Sequence, residues 1–282
     1  METAENAQAL DSLVAKWIAA EPEFGIAINF LPMPQRAVEA AFVSLGHEIA
    51  HAAFAIREGD VAIAKLNWWH EELLRTSLGE PRHPLTRILA GHAAIDEVPS
   101  SMWQALIAAA LKQRERDPAA DVATLLAGFE IFFQPLANVE AVLFNSIDRV
   151  RTSRVTSLAH ALREVASITR VLEAGHLALP LDLLARYQLR RDQLAIDSPE
   201  RRRAAKEHLR AISSELDSIA KAQPKLTLTR YAGLVTDRWR TGKASRAGDP
   251  IAELIHLLPK VPIRTTWKSW RAARQKEHAT PD

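Results

Sequence analysis

The 282-residue sequence contains no cysteine. That excludes a disulfide scaffold, thiolate zinc sites, iron–sulfur ligation and a cysteine nucleophile, and it fits a reducing compartment. Glycine is scarce, with 10 residues, tyrosine occurs only twice, and period-two alternation is nearly missing. A strand-rich fold needs more turn glycines and more alternation than this. No apolar run approaches the ~18 residues that span a bilayer; Trp103–Leu111 is shorter and is ended by Lys112 and Arg114. The first residues, Met1–Trp17, are acidic and amphipathic, without the basic start and apolar run of a signal peptide. The expectation is a soluble, cytoplasmic protein.

Charge is unevenly spread. The net charge is +2, yet residues 1–148 carry 10 Lys+Arg against 20 Asp+Glu and residues 149–282 carry 26 against 14. The run Arg201–Arg203 reads as a solvated helix start, and apart from the last helix no basic stretch is interleaved with aromatics, so nucleic acid is not an expected partner.

Helical periodicity pervades the chain. Val38, Phe42, Leu45, Ile49, Ala52 and Ile56 step by fours and threes, as do Val155, Leu158, Leu162, Val165 and Leu172 with one gap. Prolines and glycines set the ends: helices are expected at 35–58, 61–76, 85–94, 99–116, 119–133, 136–149, 151–173, 180–187, 199–222, 226–239, 249–257 and 264–276. No Pro/Gly/Ser linker divides them. The expected architecture is a single all-α domain over residues 1–275, followed by a frayed tail at 276–282.

Three strings carry potential chemistry. His47-Glu48-Ile49-Ala50-His51 matches H-E-x-x-H, in which two histidines on one helix face bind Zn2+ and the glutamate is a general base. Glu71 or Glu72 is the candidate third ligand, and the structural alternative is two histidines on a polar or cavity-lining face. Lys65-Leu66-Asn67-Trp68-Trp69-His70-Glu71-Glu72-Leu73 holds adjacent tryptophans that point about 100° apart on a helix, so one can enter the core while the other lines a cavity or a neighbour. Arg163 and Arg170 lie seven residues apart and share a helix face; they can hold a diphosphate or pair with Glu164 and Glu173.

Taken together and in order, these strings resemble the squalene/phytoene synthase family of head-to-head prenyl transferases. Lys65–Leu73 followed by His83-Pro84 is similar to its leucine–tryptophan helix and the next helix start, and Ile168-Thr169-Arg170 with Leu179-Pro180-Leu181-Asp182 is similar to its later pair. The resemblance covers roughly residues 35–190. It implies an isoprenoid-synthase-like helical bundle around a central cavity, a prenyl-diphosphate substrate and Mg2+ held by two aspartate-rich motifs. By register those motifs fall on His47–His51 and Val171–Gly175, where only Glu48 and Glu173 keep carboxylates.

The resemblance thus implies Glu48 and Glu173 as catalytic residues, with Arg163, Arg170, Trp68 and Lys65 binding substrate. His47 and His51 enter only if a transition metal is bound, because imidazole is a poor Mg2+ ligand. Three functions remain: a prenyl transferase or its catalytically degenerate isoprenoid-binding relative, a non-catalytic assembly or binding factor on the same fold, and a zinc-dependent hydrolase. In the last helix Trp267 and Trp270, set among Lys268, Arg271, Arg274 and Lys276, are expected to pack back onto the bundle. A peripheral membrane or protein partner for that helix is the alternative.

Overall fold

The structure, a computed structural model, describes residues 2–145 and 147–277. All regular elements among these are helical. In chain order they are α1 (Glu2–Ala20), α2 (Pro22–Ile28), α3 (Met33–Phe54), α4 (Gly59–Ser77), α5 (Pro84–Ala90), α6 (Ser100–Lys112), α7 (Val122–Leu143), α8 (Arg149–Ala166), α9 (Ile168–Glu173), α10 (Leu181–Arg186), α11 (Pro199–Lys221), α12 (Leu228–Ala244), α13 (Pro250–Leu257) and α14 (Ile263–Glu277). Three short 3₁₀ turns complete them. Residues 276 and 277 belong to α14, and the rest of the expected tail, 278–282, lies outside the described residues.

Local chemistry sets most boundaries. Pro22, Pro84, Pro199 and Pro250 stand in first helical turns, where their missing N–H costs nothing. Asp121, Asp148, Ser198, Thr227 and Asp249 accept backbone N–H bonds as N-caps. The start of α5 is secured more elaborately. Buried Glu72 of α4 accepts from the backbone N–H of Arg82 and of His83, each at 2.8 Å, and from Thr86 Oγ1 at 2.5 Å.

The helices α1 and α2 precede the first expected one, α12 runs to Ala244, and continuity differs from expectation at two places. Residues 122–143 form one helix through Pro135, not two. Proline removes one hydrogen bond, to the carbonyl of Ile131, and Ile131 is 41% exposed, on a side of the helix open to solvent. By length and composition alone α7 is apolar enough to cross a membrane. Here it packs against α6 and α8, burying Phe129, Phe132, Leu136 and Val139. Conversely, the expected helix 151–173 breaks at Ser167 into α8 and α9. α9 then stops at Gly175, whose φ of 90° is a left-handed C-terminal position, with His176 N–H returning to the Val171 carbonyl at 3.0 Å.

The apolar stripes meet in one large core that takes in α3, α4, α6, α7, α8 and α11. A smaller one lies between α2, α3 and α12, with Ala272 and Ala273 of α14 against it. The acidic and basic halves of the chain interleave. Glu21 meets Arg163, Glu23 meets Arg240, Glu130 meets Arg154 and Glu140 meets Arg230. The tryptophans of α14 do not pack back as expected: Trp267 and Trp270 point outward, while small Thr265 and Ser269 are buried.

Candidate functional site

A cavity of about 370 Å³ opens within the bundle. It is walled by the end of α1, α2, one face of α3, the inner sides of α7 and α8, α9, α12 and Leu258. The volume falls at the lower end of the ~300–1,000 Å³ typical of small-molecule sites. Two groups of side chains line it.

The first is aromatic. Phe54 at the end of α3 lies 4.1 Å from the His160 ring and stacks at 6.0 Å on Phe133. His160 Nε2 is 3.3 Å from Glu164 Oε1, and Arg116 Nη2 donates to the same oxygen at 2.6 Å while its guanidinium lies over Phe129. Burial raises the Glu164 carboxyl, but Arg116 and His160 outweigh it and hold the group below its ordinary range.

The second is ionic and centres on Arg163. Its Nε is 2.8 Å from Glu21 Oε1, its Nη2 3.1 Å from Glu23 Oε1 and its Nη1 3.3 Å from Asp237 Oδ2. Three carboxylates from α12 and the α1–α2 segment thus converge on one guanidinium. Arg240, buried beneath, binds Glu23 and Asp237 in turn and donates to the carbonyls of Leu257 and Leu258. Burial raises the Glu21 carboxyl, yet Arg163 and then His47 pull it down to about 2. Burial pushes the Glu23 carboxyl up against the pull of Arg240. His47 faces Glu21 at 3.5 Å and is stacked at 4.7 Å beneath Trp17; its burial holds the imidazole below its ordinary pKa.

The structure divides the sequence-derived residues. His47, His51, Arg163 and Arg170 line the cavity. Glu48, one residue on from His47, turns away from it: Lys16 Nζ takes Oε1 at 2.5 Å, Lys65 Nζ takes Oε2 at 2.7 Å and Trp17 Nε1 adds a third donor at 3.2 Å. Burial raises this carboxyl, but the two lysines outweigh it and lower it. Lys65 therefore neutralises Glu48 rather than lining the cavity.

Trp68 is exposed on the outer side of α4, edge-on to Trp69 and His83, while Trp69 is the one that enters the core. Glu173 is exposed at the end of α9, 3.4 Å from Arg57. Arg170 donates to Ser167 Oγ at 3.2 Å. Of the two readings, the pairing of Arg163 and Arg170 with Glu164 and Glu173 is not seen: Arg163 meets Glu21, Glu23 and Asp237 instead, and Arg170 meets Ser167.

The donor set does not fit Mg2+ or Zn2+. Among the described residues no group of three or more His, Asp or Glu is placed to hold a metal ion. His47 and His51 lack a third ligand: Glu21 is committed to Arg163, Glu48 to two lysines and Glu72 to the start of α5, while Glu71 lies exposed beside Arg75. The two carboxylates kept at the motif positions, Glu48 and Glu173, both lie off the cavity wall.

Glu21, Glu23, Asp237, Arg240 and the His160–Glu164 pair were not singled out from sequence. One signal was available: Asp237, Arg240 and Ala244 recur at i, i+3 and i+7 on the buried stripe of α12, so two charges sit where apolar residues belong.

Residues 19–128 match the model of the squalene/phytoene synthase family, a stretch that holds His47–His51 and Lys65–His83. Among solved structures, a dehydrosqualene synthase crystallised with a ligand superposes with a TM-score of 0.68 at 13% identity, covering 98% of this chain and 99% of that one. The squalene synthase HpnC from Alicyclobacillus acidocaldarius does so with a TM-score of 0.53 at 18% identity, covering 98% and 96%. Comparison with curated proteins gives no match. The match over residues 19–128 and the fold shared along the whole chain make this protein similar to the squalene/phytoene synthase family.

Proposed function

We propose that the protein binds a single apolar, isoprenoid-like molecule in its central cavity and does not carry out metal-dependent prenyl transfer. Family and fold group it with proteins of isoprenoid biosynthesis. The observation that carries the finer reading is the fate of Glu48: the one carboxylate left at the first motif position has each oxygen taken by a lysine. Departure of a diphosphate needs cations to neutralise the developing charge in a water-poor site. Here the motif carboxylate recruits none, and Arg163 is already matched by three carboxylates. What remains is an apolar wall of Phe54, Phe133, Leu136 and Val155 above a neutralised ionic floor.

Two measurements on the purified chain test this. Incubation with farnesyl or geranylgeranyl diphosphate and Mg2+ is expected to release no diphosphate, and farnesol is expected to bind saturably with one molecule per chain. Catalytic release of diphosphate in the presence of Mg2+ overturns the loss of transfer chemistry. Failure of both farnesol and squalene to bind overturns the assignment of an apolar ligand.

A further inference from the structure

α14 has its faces reversed relative to an ordinary surface helix. Toward the bundle it presents Thr265, Ser269, Ala272 and Ala273. Thr265 Oγ1 meets Thr236 Oγ1 of α12 at 3.0 Å, and the two alanines lie against the small core of α2 and α12. Outward it presents Ile263, Trp267 and Trp270, which are 87%, 54% and 40% exposed. On a helix these three lie within about 60° of one another, at i, i+4 and i+7. They are exposed in a helix whose buried side is filled by hydroxyls and methyls.

The same outward side is cationic. Arg271 lies 5.6 Å from the ring centroid of Trp267 and Arg274 4.7 Å from that of Trp270. Arg264 is exposed, Lys268 half-buried, and no acidic residue occurs between Ile263 and Gln275. A guanidinium over an indole presents its N–H edge outward, where a phosphate oxygen can take it, while the indole itself prefers the boundary between headgroup and acyl chain.

We propose that α14 docks the protein on an anionic lipid surface, with Ile263, Trp267 and Trp270 entering the headgroup boundary and Arg264, Lys268, Arg271 and Arg274 contacting lipid phosphates. Charge and shape select this occupant. The face is the side of a single helix, and among the described residues its cations have no acidic partner. Indole and guanidinium side by side are the chemistry of an interfacial helix. The docking does not rest on what the cavity holds.

The test is sedimentation of the full chain with vesicles of phosphatidylcholine alone and with about a third phosphatidylglycerol. Binding is expected only to the anionic vesicles and is lost in high salt. Arg271→Gln/Arg274→Gln should weaken it by roughly 25-fold, at roughly fivefold for each cation near the surface. Trp267→Ser/Trp270→Ser, whose side chains contribute little to the bundle core, should keep the thermal transition of the parent yet lose vesicle binding at least tenfold. Brominated lipid should quench the tryptophan emission of the parent more than that of this variant.

Equal binding to neutral vesicles, unchanged binding by the Trp267→Ser/Trp270→Ser chain, or no binding by the parent overturns the proposal. So does a parent dimer that dissociates on the tryptophan substitutions without any vesicle binding, which assigns the face to a second copy.

Discussion

The guanidinium of Arg240 and the carboxylate of Glu23, 217 positions apart in sequence, meet in a two-pronged ion pair at 2.7 and 2.8 Å, both side chains almost wholly buried. Removing one partner strands the other in a low-dielectric interior. Glu23→Ala is therefore expected to cost about 3–5 kcal/mol of unfolding free energy, read from urea denaturation. Glu23→Leu/Arg240→Met, which removes both charges, should recover much of that loss. If the double variant is no more stable than Glu23→Ala, the pair is not what holds α2 to α12.

Metal ions should leave the protein indifferent. A ligand that binds only the folded state raises the melting temperature by mass action. With Glu48 committed to Lys16 and Lys65, millimolar Mg2+ or a slight excess of Zn2+ is expected to produce no rise, and chelator no fall. A saturable upward shift with either ion would reveal a binding site that the side-chain arrangement does not provide.

His208 gives the fold an acid sensitivity. Both of its ring nitrogens are buried without a hydrogen-bond partner, and burial pulls its pKa from 6.5 down to about 4. Between those values the unfolded chain binds a proton that the native chain refuses, so stability is complete above about pH 6.5 and falls as pH drops toward 4. The span is worth about 3 kcal/mol. Glu21, held at about 2, adds a second loss below its ordinary 4.5. Denaturation midpoints across this range should slope downward with acid, and His208→Leu should flatten the upper part of the slope while leaving the lower part.

Cavity occupancy can be blocked from α8. Ala159 faces the cavity beside Arg163. Ala159→Phe is expected to lower farnesol affinity at least tenfold, at a stability cost within the ~1–3 kcal/mol of an overpacked site. Unchanged affinity in a folded variant would move the ligand elsewhere.

Much of the fold was legible in the sequence because burial follows period. Val38, Phe42, Leu45, Ile49 and Ala52 all enter the core as their spacing requires, and the 100° step between Trp68 and Trp69 sends one out and one in. Periodicity says which residues share a face but not which face turns inward. α14 shows the limit: close packing on α12 and α2 selects its small residues, so its tryptophans turn out.

The continuity of α7 through Pro135 and the break at Ser167 depend on what solvent and neighbours supply to single carbonyls, which no local pattern records. The site was half legible for a related reason. His47, His51 and Arg163 fall on the cavity wall, but the acids that neutralise Arg163 arrive from α2 and α12, remote in sequence.

Closure of the bundle by its two ends also has a consequence for how the chain is made. Glu23 leaves the ribosome long before Arg240, and much of the packing of α2 is against α12 and α14. Such long sequence separation slows folding, since the connecting loop must be closed before the contact rewards it. A nascent chain stalled short of α12 therefore lacks the two-pronged Arg240 partner of Glu23 and leaves only Arg163 to face it. Folding of this segment is expected to be post-translational, and truncations before residue 240 should yield aggregation-prone chains rather than a smaller stable bundle.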